Sequence, residues 1–225
     1  MSPVEIVTAL WKWTPYLAGG FLWNILISLA SVGIGTAAGV LLAVMRTSRR
    51  RLLQRIALGL TAAARTLPTF VLLFYFAFLF PVEIEIAGTV YAFPAWIKVS
   101  LALGVAVAGF VSDNFTAALL AWRARHHAAA LIFVPAWTTY SLMTALASTT
   151  GSVVGVDEIV SRSNAVIAAL DDTGMMVWVY LYAGAWFTVV CLPLITLSQR
   201  FKRRLAARAV EATGRQAERV GEKTT

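Results

Sequence analysis

The chain has 225 residues, of which 59% are hydrophobic and only 13% charged, and its mean hydropathy is +0.75. A soluble domain usually carries about 25% charged residues, so too little polar surface remains to coat a water-soluble globule, and a membrane class is favoured. The 19 Lys and Arg against 11 Asp and Glu leave a formal charge of +8. In a soluble protein that excess would suggest nucleic acid; here it clusters at the ends of apolar stretches, where it sets topology, and no nucleic-acid partner is expected.

The start, MSPVEIVTALWKWTP, lacks the basic opening and small-residue cleavage site of a signal peptide, so the first apolar stretch is expected to be retained. That stretch carries no charge from 13 to 45 and predicts a span over about 17–45. Ser31, Gly35, Gly39 and Ala43 recur every four residues along it, a stripe of small side chains that admits another helix closely. Spacing alone does not separate packing within the bundle from a subunit interface. A second uncharged run, entered through Arg65, predicts a span over about 60–82. The third, about 94–112, holds one charge, Lys98, expected to snorkel to the membrane boundary. At its end Asp113 and Asn114 read as a solvated helix cap, a helix contact or a substrate contact. A fourth stretch covers about 128–148 and a fifth about 173–199, with Cys191 inside it as an inert thiol. Positions 205–225 predict a basic cytoplasmic helix fraying into a tail. About 20 apolar residues cross a hydrocarbon layer, and backbone pairing in lipid requires helices. The predicted fold is therefore an all-α integral membrane protein of about five spans, forming one domain over 1–204.

Orientation follows from the flanks. RTSRRRLLQR after span one, Arg123 and Arg125 after span three, and the tail after span five hold 15 basic residues, all on one side if the spans alternate. The other side carries PVEIEIAG and GVDEIVSRSNAVIAALDDTG, both acidic. Positive-inside then puts the N-terminus out and the C-terminus in the cytoplasm. The sequence has no phosphate-binding loop, no H-E-x-x-H pair and no G-x-S-x-G turn. His126 and His127 are adjacent and face different sides of a helix. No catalytic residue, cofactor or metal is therefore implied. Asn24, Ser28, Ser141 and Thr144 are the polar side chains available to a solute path, or equally to helix–helix hydrogen bonds.

Several local patterns occur in a particular order. The first span, GGFLWNILISLASVGIGTAAGVLLAVMRTS, ends in a basic turn. Arg65-Thr66-Leu67-Pro68 then opens span two, and Pro68 suits the first turn of a helix. Gly109-Phe110-Val111-Ser112-Asp113 closes span three, and Pro135 opens span four within LIFVPAW. SLMTALASTTGSVVGVDEIV follows, with Gly155 and Asp157. Together these resemble the permease subunits of polar amino-acid ABC importers of the histidine/glutamine type, over about residues 15–204. The family's Arg-Gly-Thr-Pro, its acidic residue after span three, its Leu-Pro-Gln-Ala and its Ile-Gly-Val-acid segment fall on those positions. One departure concerns the cytoplasmic loop. The family's Glu-Ala-Ala segment and glycine, which form the helix that docks on the ATPase, fall on Thr116-Ala117-Ala118 and Trp122, in a loop about a dozen residues shorter.

The resemblance implies a multi-pass subunit of a bacterial inner membrane, working by alternating access on an amino acid or similar small polar solute. It implies an ATPase subunit, a second permease copy or paralogue, and an extracytoplasmic solute-binding protein as partners, with ATP hydrolysis performed by the ATPase. Trp122, Arg123 and Arg125 are then the candidate coupling contacts, unless the arginines only set topology. A permease-derived interaction or regulatory subunit without ATPase coupling is the alternative that the shortened loop suggests. A gradient-driven carrier would more often show inverted repeats, and none is visible.

Overall fold

The computed structural model describes residues 3–86 and 88–222, with the side chains at 84, 86 and beyond 207 outside the description. Helix α1 (Pro3–Arg46) is followed by α2 (Arg51–Thr66), α3 (Thr69–Leu79), a hairpin of β1 (Glu83–Ile86) and β2 (Thr89–Ala92), and α4 (Ala95–Arg123). Then come α5 (His127–Leu131), α6 (Phe133–Ala147), a 3-10 segment (Ser148–Val154), α7 (Ile159–Leu170) and α8 (Met175–Glu222). Among the described residues four helical stretches are long and apolar enough to cross a membrane, and the bent pair α2–α3 is a fifth when counted as one broken span. The protein is an all-α membrane protein of the expected span number.

Helices α1 and α4 form the centre and run parallel. Ile27 packs with Val99, Ala102 and Leu103, while Gly35 and Gly39 lie against Gly104–Val107 and Ala108–Val111 further along. A Cβ on Gly35 would stand 2.5 Å from the Gly104 carbonyl oxygen, and one on Gly39 would stand 2.7 Å from that of Ala108. The small stripe is therefore an intrachain seam that lets two backbones approach. Ser31 within it is fully buried and donates to Ile27 O, which satisfies its hydroxyl inside its own helix. Outward faces are as apolar as the core: Leu22, Leu29, Leu181 and Val189 are exposed, as a lipid-facing surface requires.

Several expectations are corrected. The stretch 60–82 is two helices bent by 100° at Leu67-Pro68, and α3 alone measures only about 16 Å. Proline lacks an N–H and pushes the preceding residue to extended geometry, so Leu67 (ψ 124°) ends α2 and Pro68 caps α3 rather than entering its first turn. Beyond what was expected of the acidic segment PVEIEIAG, Glu83–Ile86 and Thr89–Ala92 pair as an antiparallel hairpin, with Gly88 at φ 80°. Helix α4 passes 112 and continues to Arg123, so Asp113 lies within a helix and caps nothing. The expected fourth span is met by the continuous helical stretch His127–Val154, and the acidic segment after it folds in part as α7. Lys98 does not snorkel: it is buried and donates to Ala77 O (3.2 Å) and Phe80 O (2.7 Å), capping the open carbonyls of α3. Helix α8 runs through 205 and persists to Glu222 rather than fraying; positions 223–225 lie outside the described residues.

Candidate functional site

Four places gather the polar side chains of the bundle. The first lies between α1, the 3-10 segment and α7. Asn24 is fully buried and donates to Ser148 Oγ (2.9 Å) and Glu158 Oε2 (3.0 Å), while its Oδ1 accepts from Ile159 N (3.1 Å). Glu158, also fully buried, caps α7 by accepting from Val160 N and Ser161 N (both 3.0 Å). That cap satisfies N–H groups the helix start leaves open. Glu158 sits between spans, and burial pushes its carboxyl above the ordinary range; the bonds from Asn24, Val160 and Ser161 pull it back, and neighbouring Asp157 adds to the rise. Gly155 supplies the left-handed turn (φ 86°) that ends the 3-10 segment and aims Glu158 inward. Asp157 turns outward to Arg162 (2.9 Å), which also donates to Tyr16 O (2.8 Å) and so ties α7 to α1.

The second place joins α1, α2 and α4 at the opposite end of the bundle. Asp113 bridges Arg46 (2.5 Å) and Arg65 (2.7 Å). Beneath it Thr61 and Ser112 share a buried hydrogen bond of 2.7 Å, and Arg46 also reaches Ser112 (3.3 Å). Two bases from two helices on one carboxylate make a helix–helix contact, one of the three readings open for Asp113.

The third place is the α4–α5 connection. Trp122 and Arg123 stand on the last turn of α4 and Arg125 in the bend, all exposed. His126 N donates to Ala121 O (2.9 Å) and Arg125 N to Trp122 O (3.0 Å). This is a Schellman stop whose left-handed position is normally glycine; here it is Arg125 (φ 63°). The region from 116 is the continuation of α4, α5 starts directly after the bend, and the Trp122 ring meets the His127 ring edge-on at 4.4 Å.

The fourth place is a cleft of about 210 Å³ between α1, α6 and α8, bordered by Phe21, Ser28, Trp137, Ser141, Phe187 and Cys191. Ser28 and Ser141 meet there, yet their hydroxyls donate to Asn24 O and Trp137 O of their own helices. The cleft is consequently apolar. Thr144 is buried and donates to Tyr140 O (3.0 Å), so neither it nor Asn24 borders this opening. Pro135 is buried near the start of α6, and its carbonyl accepts from Ser198 Oγ of α8 (2.9 Å).

Among solved structures, the chain matches one titled "Crystal structure of an amino acid ABC transporter with histidines", at a TM-score of 0.71 and 19% identity, over 91% of this chain and 99% of that one. This chain has that fold. No family model and no curated protein matches it. Within this fold, the Asn24–Glu158 knot and the Asp113 bridge are two polar clusters that each join three elements. Sequence reasoning brought Arg65 and Asp113 forward as separate motif positions and missed Arg46, Thr61 and Ser112. The available signal was that Asp113 is the lone carboxylate amid the basic flanks up to position 207. Glu158 belongs to the same motif segment as Gly155 and Asp157, but the motif gave it no role of its own. Its neighbours Ile159 and Val156 are apolar, a context in which a carboxylate is either exposed or tightly held.

Proposed function

We propose that the chain is the membrane-spanning subunit of an ATP-driven ABC importer for an amino acid or similar small polar solute in a bacterial inner membrane. The observation that carries this reading is the fold, which follows a chain of an amino acid ABC transporter over 91% of the present one. In this reading the basic end is cytoplasmic, with the N-terminus outside and the C-terminus inside. The chain hydrolyses nothing itself. An ATPase subunit docks on the end of α4 through Trp122, Arg123 and Arg125, a second permease chain completes the path, and an external binding protein delivers the solute.

Coupling requires a two-state element that both the ATPase and the solute bias. The bundle is that element, and the rigid α1–α4 seam carries a push on the end of α4 along α1 to Asn24 and the α7 cap. Ser28 and Ser141 border the opening that faces a path. Asn24 and Thr144 reach solute only if their present bonds exchange. The test is uptake of radiolabelled amino acids by native cells with and without the chain. Loss of uptake of at least one amino acid, restored by the wild-type chain, supports the reading. Unchanged uptake of every amino acid, with no ATPase bound to the chain, contradicts it.

A further inference from the structure

Helix α2 presents three distinct sides. Ala57, Thr61 and Ala64 are buried on α4 and α1. At 3.6 residues per turn, the next side holds Leu52, Ile56 and Leu60, which are 70%, 43% and 53% exposed. The third side carries Arg51 and Arg55, both exposed, and Arg49 and Arg50 lead into it. Only Leu58 departs from this division. The helix is bent by 100° from α3, so α2 and α3 do not share one axis and only one of them follows a straight path through the membrane.

We propose that α2 lies along the membrane boundary, leaving α3 to make the second crossing, and that Arg49, Arg50, Arg51 and Arg55 bind the phosphates of anionic phospholipids. A basic helix with an unpartnered apolar side is built for the boundary between headgroups and acyl chains. Two observations favour lipid over a protein partner. Leu60 shares a groove with Ile34 and Leu41 of α1, both exposed, so the apolar side of α2 continues the lipid-facing surface of α1. The charge is also uncompensated: Asp113, the carboxylate nearest α2 among the described side chains, is taken by Arg46 and Arg65. Guanidinium groups match phosphate oxygens in pairs.

Two measurements on the full chain test this. In a Cys191→Ser background, nitroxide labels at Ile56→Cys and Ala62→Cys are compared in nanodiscs. Ile56 is expected to be accessible to oxygen and Ala62, on the arginine side, to a water-soluble nickel chelate. Protection of both from either reagent means that another polypeptide covers α2, and exposure of both to nickel means that the helix stands in water; each result overturns the proposal. Phosphatidylglycerol retained by the purified chain is then counted by native mass spectrometry for the wild type and for Arg49→Gln/Arg50→Gln/Arg51→Gln/Arg55→Gln. Retention is expected to fall at least about fivefold, the effect of one such charge near an anionic surface, while helix content stays unchanged. Equal retention with intact helix content overturns it.

Discussion

The two polar knots of this bundle tie α1 to other elements by opposite means. At one end Asn24, Ser148 and Glu158 are enclosed, and the carboxylate has no cation; it is held by an amide and two backbone N–H groups. At the other end Asp113 sits partly in solvent between two arginines. An enclosed group without water must find every partner inside, and all buried side-chain polar atoms among the described residues do. An ion pair in contact with water can exchange its partners for solvent at small cost. The enclosed knot therefore fixes α7 on α1, whereas the bridge is the joint that gives way at smaller cost.

The largest effect that sharpens this contrast is expected from Asn24→Leu. It leaves the Glu158 carboxylate and Ile159 N–H without their partner, a loss of about 3 kcal/mol, read as a fall in the thermal midpoint in detergent. A fall no greater than that of Asp113→Asn would break the distinction. Asp113→Asn itself is expected to cost about 1 kcal/mol, with the cost shrinking as salt is raised because the pair is partly exposed. Thermal unfolding at low and high salt checks it.

Arg125→Gly is expected to stabilise the chain by about 0.5 kcal/mol, since glycine relieves the left-handed strain but adds freedom to the unfolded chain. The same thermal assay should show Arg125→Ala gaining nothing. The subtlest effect concerns pH. Burial raises the Glu158 carboxyl above its ordinary 4.5, so the folded chain holds that proton more tightly than the unfolded one. Its stabilising contribution is present below 4.5 and is lost as pH rises through the folded value. Glu158→Gln should flatten that component of the melting profile, and a profile parallel to the wild type would count against it.

Span number and the small seam were legible because lipid imposes long apolar runs and close helix approach imposes Gly35 and Gly39 four residues apart. The surroundings of the candidate path residues were not legible in the same way. Ser28, Ser141 and Thr144 are polar by sequence, yet their hydroxyls bond the carbonyl four residues back, which no composition reveals. Asn24 was identified as polar within a span, but its partners lie more than a hundred positions away. The break in the second span followed from Pro68, whose effect depends on whether the preceding residue continues the helix. The end of α4 hid for a different reason: a Schellman stop usually signals itself by glycine, and Arg125 occupies that place.

The most direct measurement is a pull-down of the full chain from its native membrane, comparing wild type with Trp122→Ala/Arg123→Ala/Arg125→Ala. An ATPase that co-purifies with the wild type and is lost from the variant, while a second membrane chain stays bound to both, is the expected result. Capture of a membrane partner with no ATPase in either sample would contradict the importer-subunit reading and leave an interaction subunit in its place.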